Sequence, residues 1–303
     1  MKKRFLLLCW LLVAPVWAQS AYQSGVDNYK NRQYEAAIPY FTQAITAGEQ
    51  PDGAYYNRGQ CYYFVSRYDE AIADYTASLK LKASVNAFFQ RGLCLHQKGS
   101  FDAAISDYSE GLKLTPSDPE LFYNRGISQE AKGAHEEALS DYNQAIALRP
   151  NYAKAFCNRG NVYAAKKDYV AAIADYSKCI ELDSSWPEAF DNRGLAYINS
   201  QPPQLDLALA DFNKAIEISP TYAKAWRDRG ILYVYKKDYP KAILELDQAI
   251  LLNPKAAPSF VMRGALREDT KNPAGALADY QEALKLDPDN RLAKAGLARL
   301  QKP

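Results

Sequence analysis

Histidine is nearly missing from this chain: His96 and His135 are the two in 303 residues. Neither has the acid and nucleophile of a catalytic triad beside it, nor the spacing of a metal-ligand set. The 15 glycines never gather into a phosphate-cradling loop, and the five cysteines include no Cys-x-x-Cys pair. Charge of one sign is not in excess either, with 37 basic residues against 35 acidic. Binding to nucleic acid or to an anionic membrane calls for a strong basic bias, so neither is expected. No enzyme, cofactor or metal centre is expected.

Long apolar runs are scarce as well. Lys2, Lys3 and Arg4 precede an apolar stretch from Phe5 to Val13, and Pro15 stands before Val16-Trp17-Ala18. That stretch is too short to span a bilayer. The pattern predicts a secretory signal over residues 1–18, cut before Gln19, with a periplasmic or secreted address. Cys9 follows Leu8 inside the apolar stretch and does not form a lipoprotein cleavage box. Without the three leading cations, 34 basic residues face 35 acidic ones.

What the chain does have is one motif written many times. The stretch from Asn151 to Ser184 reads as two short helices joined by Lys166-Lys167-Asp168. Phe156, Gly160 and Tyr163 form an apolar stripe on the first; Tyr169, Ala172, Ile173, Tyr176 and Ile180 form one on the second. Neither helix can hide its stripe alone, so each copy needs neighbours. Gly25, Gly59, Gly92, Gly126, Gly160, Gly194, Gly230 and Gly264 keep the register, at spacings of 34, 33, 34, 34, 34, 36 and 34 residues. Twelve residues after each glycine, or fourteen in the sixth copy, comes an alanine: Ala37, Ala71, Ala104, Ala138, Ala172, Ala208, Ala242 and Ala276. Four further on stand Phe41, Tyr75, Tyr108, Tyr142, Tyr176, Phe212, Leu246 and Tyr280. From the second copy onward an aromatic residue such as Tyr55, Phe122 or Trp226 lies four before the glycine, and prolines 116, 150, 220, 254 and 288 close five copies.

This pattern resembles the tetratricopeptide repeat, with about eight copies over residues 19–290. The resemblance implies an all-α, right-handed superhelical solenoid whose first helices line a concave groove. It also implies a scaffold that binds protein or peptide. Residues 290–301 are expected to form a closing helix, capped by Asp289 and burying Leu292, Gly296, Leu297 and Leu300. Asp118-Pro119-Glu120 reads as a helix start, and Gly99 and Gly133 as left-handed helix ends. In the sixth copy Asn199-Ser200-Gln201-Pro202-Pro203 lengthens the turn by two residues, as a tolerated surface insertion or a partner-specific loop.

Two ladders run through the repeats. Arg58, Arg91, Arg125, Arg159, Arg193, Arg229 and Arg263 each precede the glycine, where the family more often has an apolar residue. Asp74, Asp107, Asp141, Asp175, Asp211, Glu245 and Asp279 lie on the second helices, and the first repeat carries Ser24 and Tyr40 instead of both charges. That joint absence predicts that each arginine pairs with the acid of its own repeat. An anion-binding arginine row is the alternative. One step earlier come Asn57, Asn124, Asn158 and Asn192, with Gln23 and Gln90 in equivalent places. Facing the groove, carboxamides could satisfy the backbone of an extended peptide; the other reading is hydrogen bonding along the helix surface.

Tyr22, Tyr29, Tyr56, Tyr63, Phe64, Phe89 and Tyr123 are expected to line the N-terminal half of the groove, and Lys154, Asn158, Asn161, Asn192, Lys224 and Arg227 the C-terminal half. An apolar or tyrosine-tolerant partner segment is expected at the aromatic end. Asn161, Asn192 and Lys224 match part of the carboxylate clamp of chaperone-binding relatives, but Cys157 and Asp228 stand where two of its basic residues belong. The four cysteines beyond Cys9 are expected to be free and mostly buried. Cys61 and Cys94 sit on adjacent stacked repeats, about 8–10 Å apart, and Cys157 is expected to face the groove while Cys179 faces the seam. Binding of an extended peptide segment in the groove is the favoured function. A structural role through self-association or the convex face is the alternative.

Overall fold

The computed structural model describes residues 20–301, so the expected signal segment and Cys9 lie outside it. Among the described residues there are seventeen α-helices and no strand. The fold is an all-α helical-repeat solenoid. No helix among the described residues is long and apolar enough to cross a membrane.

The chain forms two compact units, Met1–Pro116 and Ser117–Pro303. Unit 1 holds α1 (Ala21–Lys30), α2 (Tyr34–Ala47), α3 (Pro51–Phe64), α4 (Tyr68–Leu81), α5 (Val85–Gln97) and α6 (Phe101–Leu114). Unit 2 holds α7 (Pro119–Lys132), α8 (His135–Leu148), α9 (Ala153–Ala165), α10 (Tyr169–Leu182), α11 (Pro187–Asn199) and α12 (Leu205–Ile218). It continues with α13 (Ala223–Tyr235), α14 (Tyr239–Leu252), α15 (Ala257–Asp269), α16 (Pro273–Leu286) and α17 (Arg291–Leu300). Within each unit an odd-numbered helix packs on the even-numbered helix that follows, which packs on the next odd-numbered one.

The glycines mark where the two helices of a repeat touch. A Cβ at Gly160 would lie 2.8 Å from Tyr176 Cε1, and one at Gly92 2.7 Å from the same atom of Tyr108. The ring from the second helix therefore occupies the space a side chain would need. The repeat alanines are wholly buried beside these rings. In α9 the wholly buried positions are Ala155, Gly160 and Val162. Phe156 and Tyr163, expected in the seam, are half-buried; both rings lie near the Arg159 guanidinium, and Tyr163 also packs on Ala172 and Tyr176.

Three expectations are corrected. Cys157 and Cys179 form a disulfide with Cα atoms 5.5 Å apart, leaving Cys61 and Cys94 as the free, buried thiols among the described residues. Cys157 sits three residues before its glycine, the position of Tyr56, Phe89 and Tyr123. Those rings lean onto the second helix, with centroids 5.7 to 6.0 Å from Tyr75, Tyr108 and Tyr142. Side chains here point at the second helix rather than out into a groove, and Cys157 meets Cys179 there. The last helix is capped by Asn290, whose side chain accepts from the Ala293 amide, and not by Asp289. Its buried face is Ala293 and Gly296, with Leu297 and Leu300 packed on the core, while Leu292 is 70% exposed. Positions 293, 296, 297 and 300 share one face at helical spacing, and 292 falls outside it.

Candidate functional site

The two charged rows belong to the frame that carries the site. Each arginine donates to the acid of its own repeat, most through Nε and Nη2 to the two carboxylate oxygens. Arg58 holds Asp74 at 2.7 Å, Arg91 holds Asp107 at 2.6 Å and Arg125 holds Asp141 at 2.7 Å. Arg159 holds Asp175 at 2.6 Å, Arg193 holds Asp211 at 2.8 Å, Arg229 holds Glu245 at 2.8 Å and Arg263 holds Asp279 at 2.6 Å. Burial pushes the Asp74 carboxyl up and Arg58 draws it back, so desolvation works against the attraction.

The third arm of the guanidinium was not anticipated. Nη1 of Arg58 and Arg91 donates to Thr42 and Thr76, and in unit 2 that of Arg159, Arg193, Arg229 and Arg263 donates to Asn143, Ser177, Asn213 and Asp247. Each acceptor lies on the second helix of the preceding repeat. One guanidinium thus ties three helices together, and an aromatic ring one turn earlier, such as Phe156 or Trp226, covers its face. The signal was in the sequence: the residue after the seam ring, or after Leu246 in its place, is Thr42, Thr76, Asn143, Ser177, Asn213 or Asp247, and each can accept a hydrogen bond.

In unit 1 the expected groove aromatics mostly hold one another. Tyr34 stacks on Phe64 with centroids 4.5 Å apart, and Tyr29 and Tyr63 stand edge-on to the pair. Phe64 keeps 48% of its surface exposed. Tyr56 accepts from Gln60, and Asn57 donates to the Tyr22 hydroxyl of the neighbouring first helix. Phe89 leans on Tyr108 and is half-buried.

In unit 2 the carboxamides split by use. Asn124 donates to the Glu120 carbonyl on its own helix, and Asn158 to the Tyr123 hydroxyl across to α7. Asn161, Asn192 and Asn199 line a cleft of about 330 Å³ between α9 and α11, floored by Tyr169 and Tyr176 of α10. The Asn161 Oδ1 accepts from the Tyr176 hydroxyl and from Asn192 Nδ2, which fixes the amide's orientation. Its Nδ2 donates to no acceptor among the described residues, although it carries two N–H groups. Lys154, expected beside this surface, is exposed and lies over the Trp186 ring.

Beyond the cleft lies a charged cluster. Asp191 on α11 and Asp228 on α13 are both wholly buried. Lys224 reaches Asp191 at 2.6 Å and Asn192 Oδ1 at 2.9 Å, and Arg227 Nε donates to Asp228 at 2.8 Å. Asp191 Oδ1 and Asp228 Oδ2 have no hydrogen-bond partner among the described residues. Burial first, then the charge of Asp228, pushes the Asp191 carboxyl up to about 6. The two cations of this end are spent on the chain's own acids.

With this geometry in place the family is clear. Profiles described as "TPR repeat" match residues 92–133 and 130–167, and profiles described as "Tetratricopeptide repeat" match 53–84, 153–185, 223–256 and 257–290. The chain belongs to the tetratricopeptide repeat family. Among solved structures it resembles a tetratricopeptide repeat protein from Parabacteroides merdae, at 18% identity and TM-score 0.69, covering 84% of this chain and all of that one. It also resembles the Cut9–Hcn1 hetero-tetramer of the APC/C, at 16% identity and TM-score 0.66, covering 89% of this chain and 53% of that one. MamA is similar at 26% identity and TM-score 0.52, covering 57% of this chain and 94% of that one. No curated protein sequence matches. Proteins of this family are in general non-enzymatic scaffolds for protein–protein interaction.

Proposed function

We propose that unit 2 captures an extended segment of a partner polypeptide in the cleft between α9 and α11. The observation that carries this reading is the Asn161 amide. It is oriented by two accepted hydrogen bonds and keeps its N–H groups for an outside acceptor, in a concave site walled by Tyr169 and Leu195. A peptide carbonyl is such an acceptor, present at every residue whatever the sequence. Because the amide is already held in place, little ordering entropy is lost on binding. The segment is an internal one rather than a chain terminus: Lys224 and Arg227, the cations a terminal carboxylate would need, are bonded to Asp191 and Asp228.

The reading includes export to the periplasm or beyond. Its supports are the basic-then-apolar composition of residues 2–18 and the Cys157–Cys179 disulfide, a bond that persists in oxidising compartments.

Random dodecapeptides displayed on phage and panned against the full chain test the groove. Enriched peptides are expected to bind the Asn161→Ala, Asn192→Ala double variant about tenfold more weakly, the loss of one or two hydrogen bonds. Enriched peptides that bind both proteins equally would refute the cleft as the site.

A further inference from the structure

The long turn of the sixth repeat opens a second cavity beside the cleft. Other turns of unit 2 pass through a left-handed residue seven positions after the glycine: Gly133, Lys167, Lys237 and Lys271. In the sixth repeat α11 ends instead on Ser200 with extended backbone, φ −68° and ψ 163°. The chain rejoins α12 only where the Gln204 amide donates to the Tyr197 carbonyl at 3.0 Å. The Ser200 hydroxyl is buried and donates towards the carbonyls of Tyr197 and Pro202, which holds the loop as an arch.

Between this arch and the start of α10 lies a cavity of about 670 Å³, well within the range of ligand-binding pockets. Tyr169, Val170, Ile173 and Tyr197 line it together with the polar Asn199, Ser200, Gln201 and Gln204. Tyr169 and Asn199 also line the 330 Å³ cleft, so the two spaces adjoin at these two side chains. Val170 is 80% exposed at the cavity wall, the most exposed of the chain's large apolar side chains among the described residues. Lys167 and Asp168 contribute one charge of each sign, so the cavity favours neither an anion nor a cation.

We propose that this cavity is the selectivity pocket of the groove, taking a neutral aromatic or branched apolar side chain from the same polypeptide segment whose backbone lies on Asn161. The inference rests on the proposed function and adds to it what the cleft alone cannot supply. Carboxamides that hold backbone accept any sequence; apolar side chains beside them, Tyr169, Val170 and Ile173, accept some side chains and not others. Burying one such side chain changes affinity by roughly tenfold to a hundredfold.

The test uses peptides enriched from the dodecapeptide library on the full chain, synthesised with and without alanine in place of the aromatic or branched anchor. Each is titrated against wild type, Val170→Asp, Gln201→Lys and the Asn161→Ala, Asn192→Ala variant. Val170 and Gln201 are exposed, so these two substitutions leave the fold intact. Replacing the anchor, or placing aspartate at 170, is expected to weaken binding about tenfold or more. The two together are expected to cost little more than either alone, and Gln201→Lys is expected to weaken the apolar-anchored peptides alone. Peptides that lose affinity in the asparagine variant, yet show the same anchor effect in Val170→Asp as in wild type, would overturn the pocket and leave the groove standing. Peptides indifferent to the asparagine variant, or no enrichment at all, would overturn both.

Discussion

Arg159 holds Asp175 through two parallel hydrogen bonds of 2.7 and 2.6 Å, across the contact between α9 and α10. The same guanidinium donates at 2.5 Å to Asn143 on α8, so one side chain joins the two helices of its repeat to the repeat before. Both charges are largely out of water, with 18% and 8% of the side-chain surface exposed. In such a pair the attraction and the desolvation nearly offset, and the large cost falls on whichever partner is left alone.

Removing both partners is therefore expected to cost less than the two single removals added together. Arg159→Met or Asp175→Leu alone should each lower stability by ~3–5 kcal/mol, and the double variant by clearly less than their sum. Urea unfolding of the four proteins measures this. Additive losses would show that the two side chains do not act as a pair.

The glycines do not all matter equally. A methyl at Gly160 meets Tyr176 Cε1 at 2.8 Å, whereas at Gly230 the nearest contacts are at 3.4 Å, because Leu246 replaces the ring. Gly160→Ala is expected to destabilise by ~1–3 kcal/mol through overpacking. Gly230→Ala should be neutral or stabilising by up to ~1 kcal/mol through helix propensity. Thermal unfolding of the two variants decides it, and equal shifts would count against ring occupancy as the cause.

Asp191 makes unit 2 sensitive to pH. Its carboxyl titrates near 6 when folded and near the ordinary carboxylate value of 3.8 when unfolded, so the folded state holds its proton more tightly. The stabilising contribution is full below pH ~4 and is lost as pH rises through ~6. Asp191→Asn should remove that slope, so its stability relative to wild type should increase between pH 4 and 7. Chemical denaturation of both proteins at four pH values would show the difference; parallel curves would mean that Asp191 does not titrate in this window.

Cys157 and Cys179 are expected to resist alkylation in denaturant without reductant, whereas Cys61 and Cys94 should react once unfolded. In the native protein burial pushes both free thiols up to about 12, so they should label slowly there too. Peptide mapping by mass spectrometry reads all four sites. Cys157→Ala should cost ~2–4 kcal/mol.

The helix pairs, their register and the arginine–acid partners were legible because each is a matter of spacing along one repeat, copied many times. A glycine, an alanine twelve residues on and a ring four beyond it define a contact whose geometry hardly depends on anything else. Spacing is a poor guide where it leaves a choice of direction. Cys157 had the periodicity of a groove residue, yet the position leans onto the second helix, as Tyr56 and Tyr123 do. Leu292 and Asp289 were one residue away from the positions that bury and cap the last helix.

The chain's letters alone determined that it would be a stack of two-helix bricks with an arginine wedged into each, since burial of short amphipathic helices demands neighbours at a regular interval. Only the packed molecule decided which amides are consumed by adjacent helices, as Asn57 and Asn158 are, and which keeps its hydrogens, as Asn161 does. The crossing of neighbouring helices sets those directions to within a few ångströms, and no one-dimensional period encodes that angle.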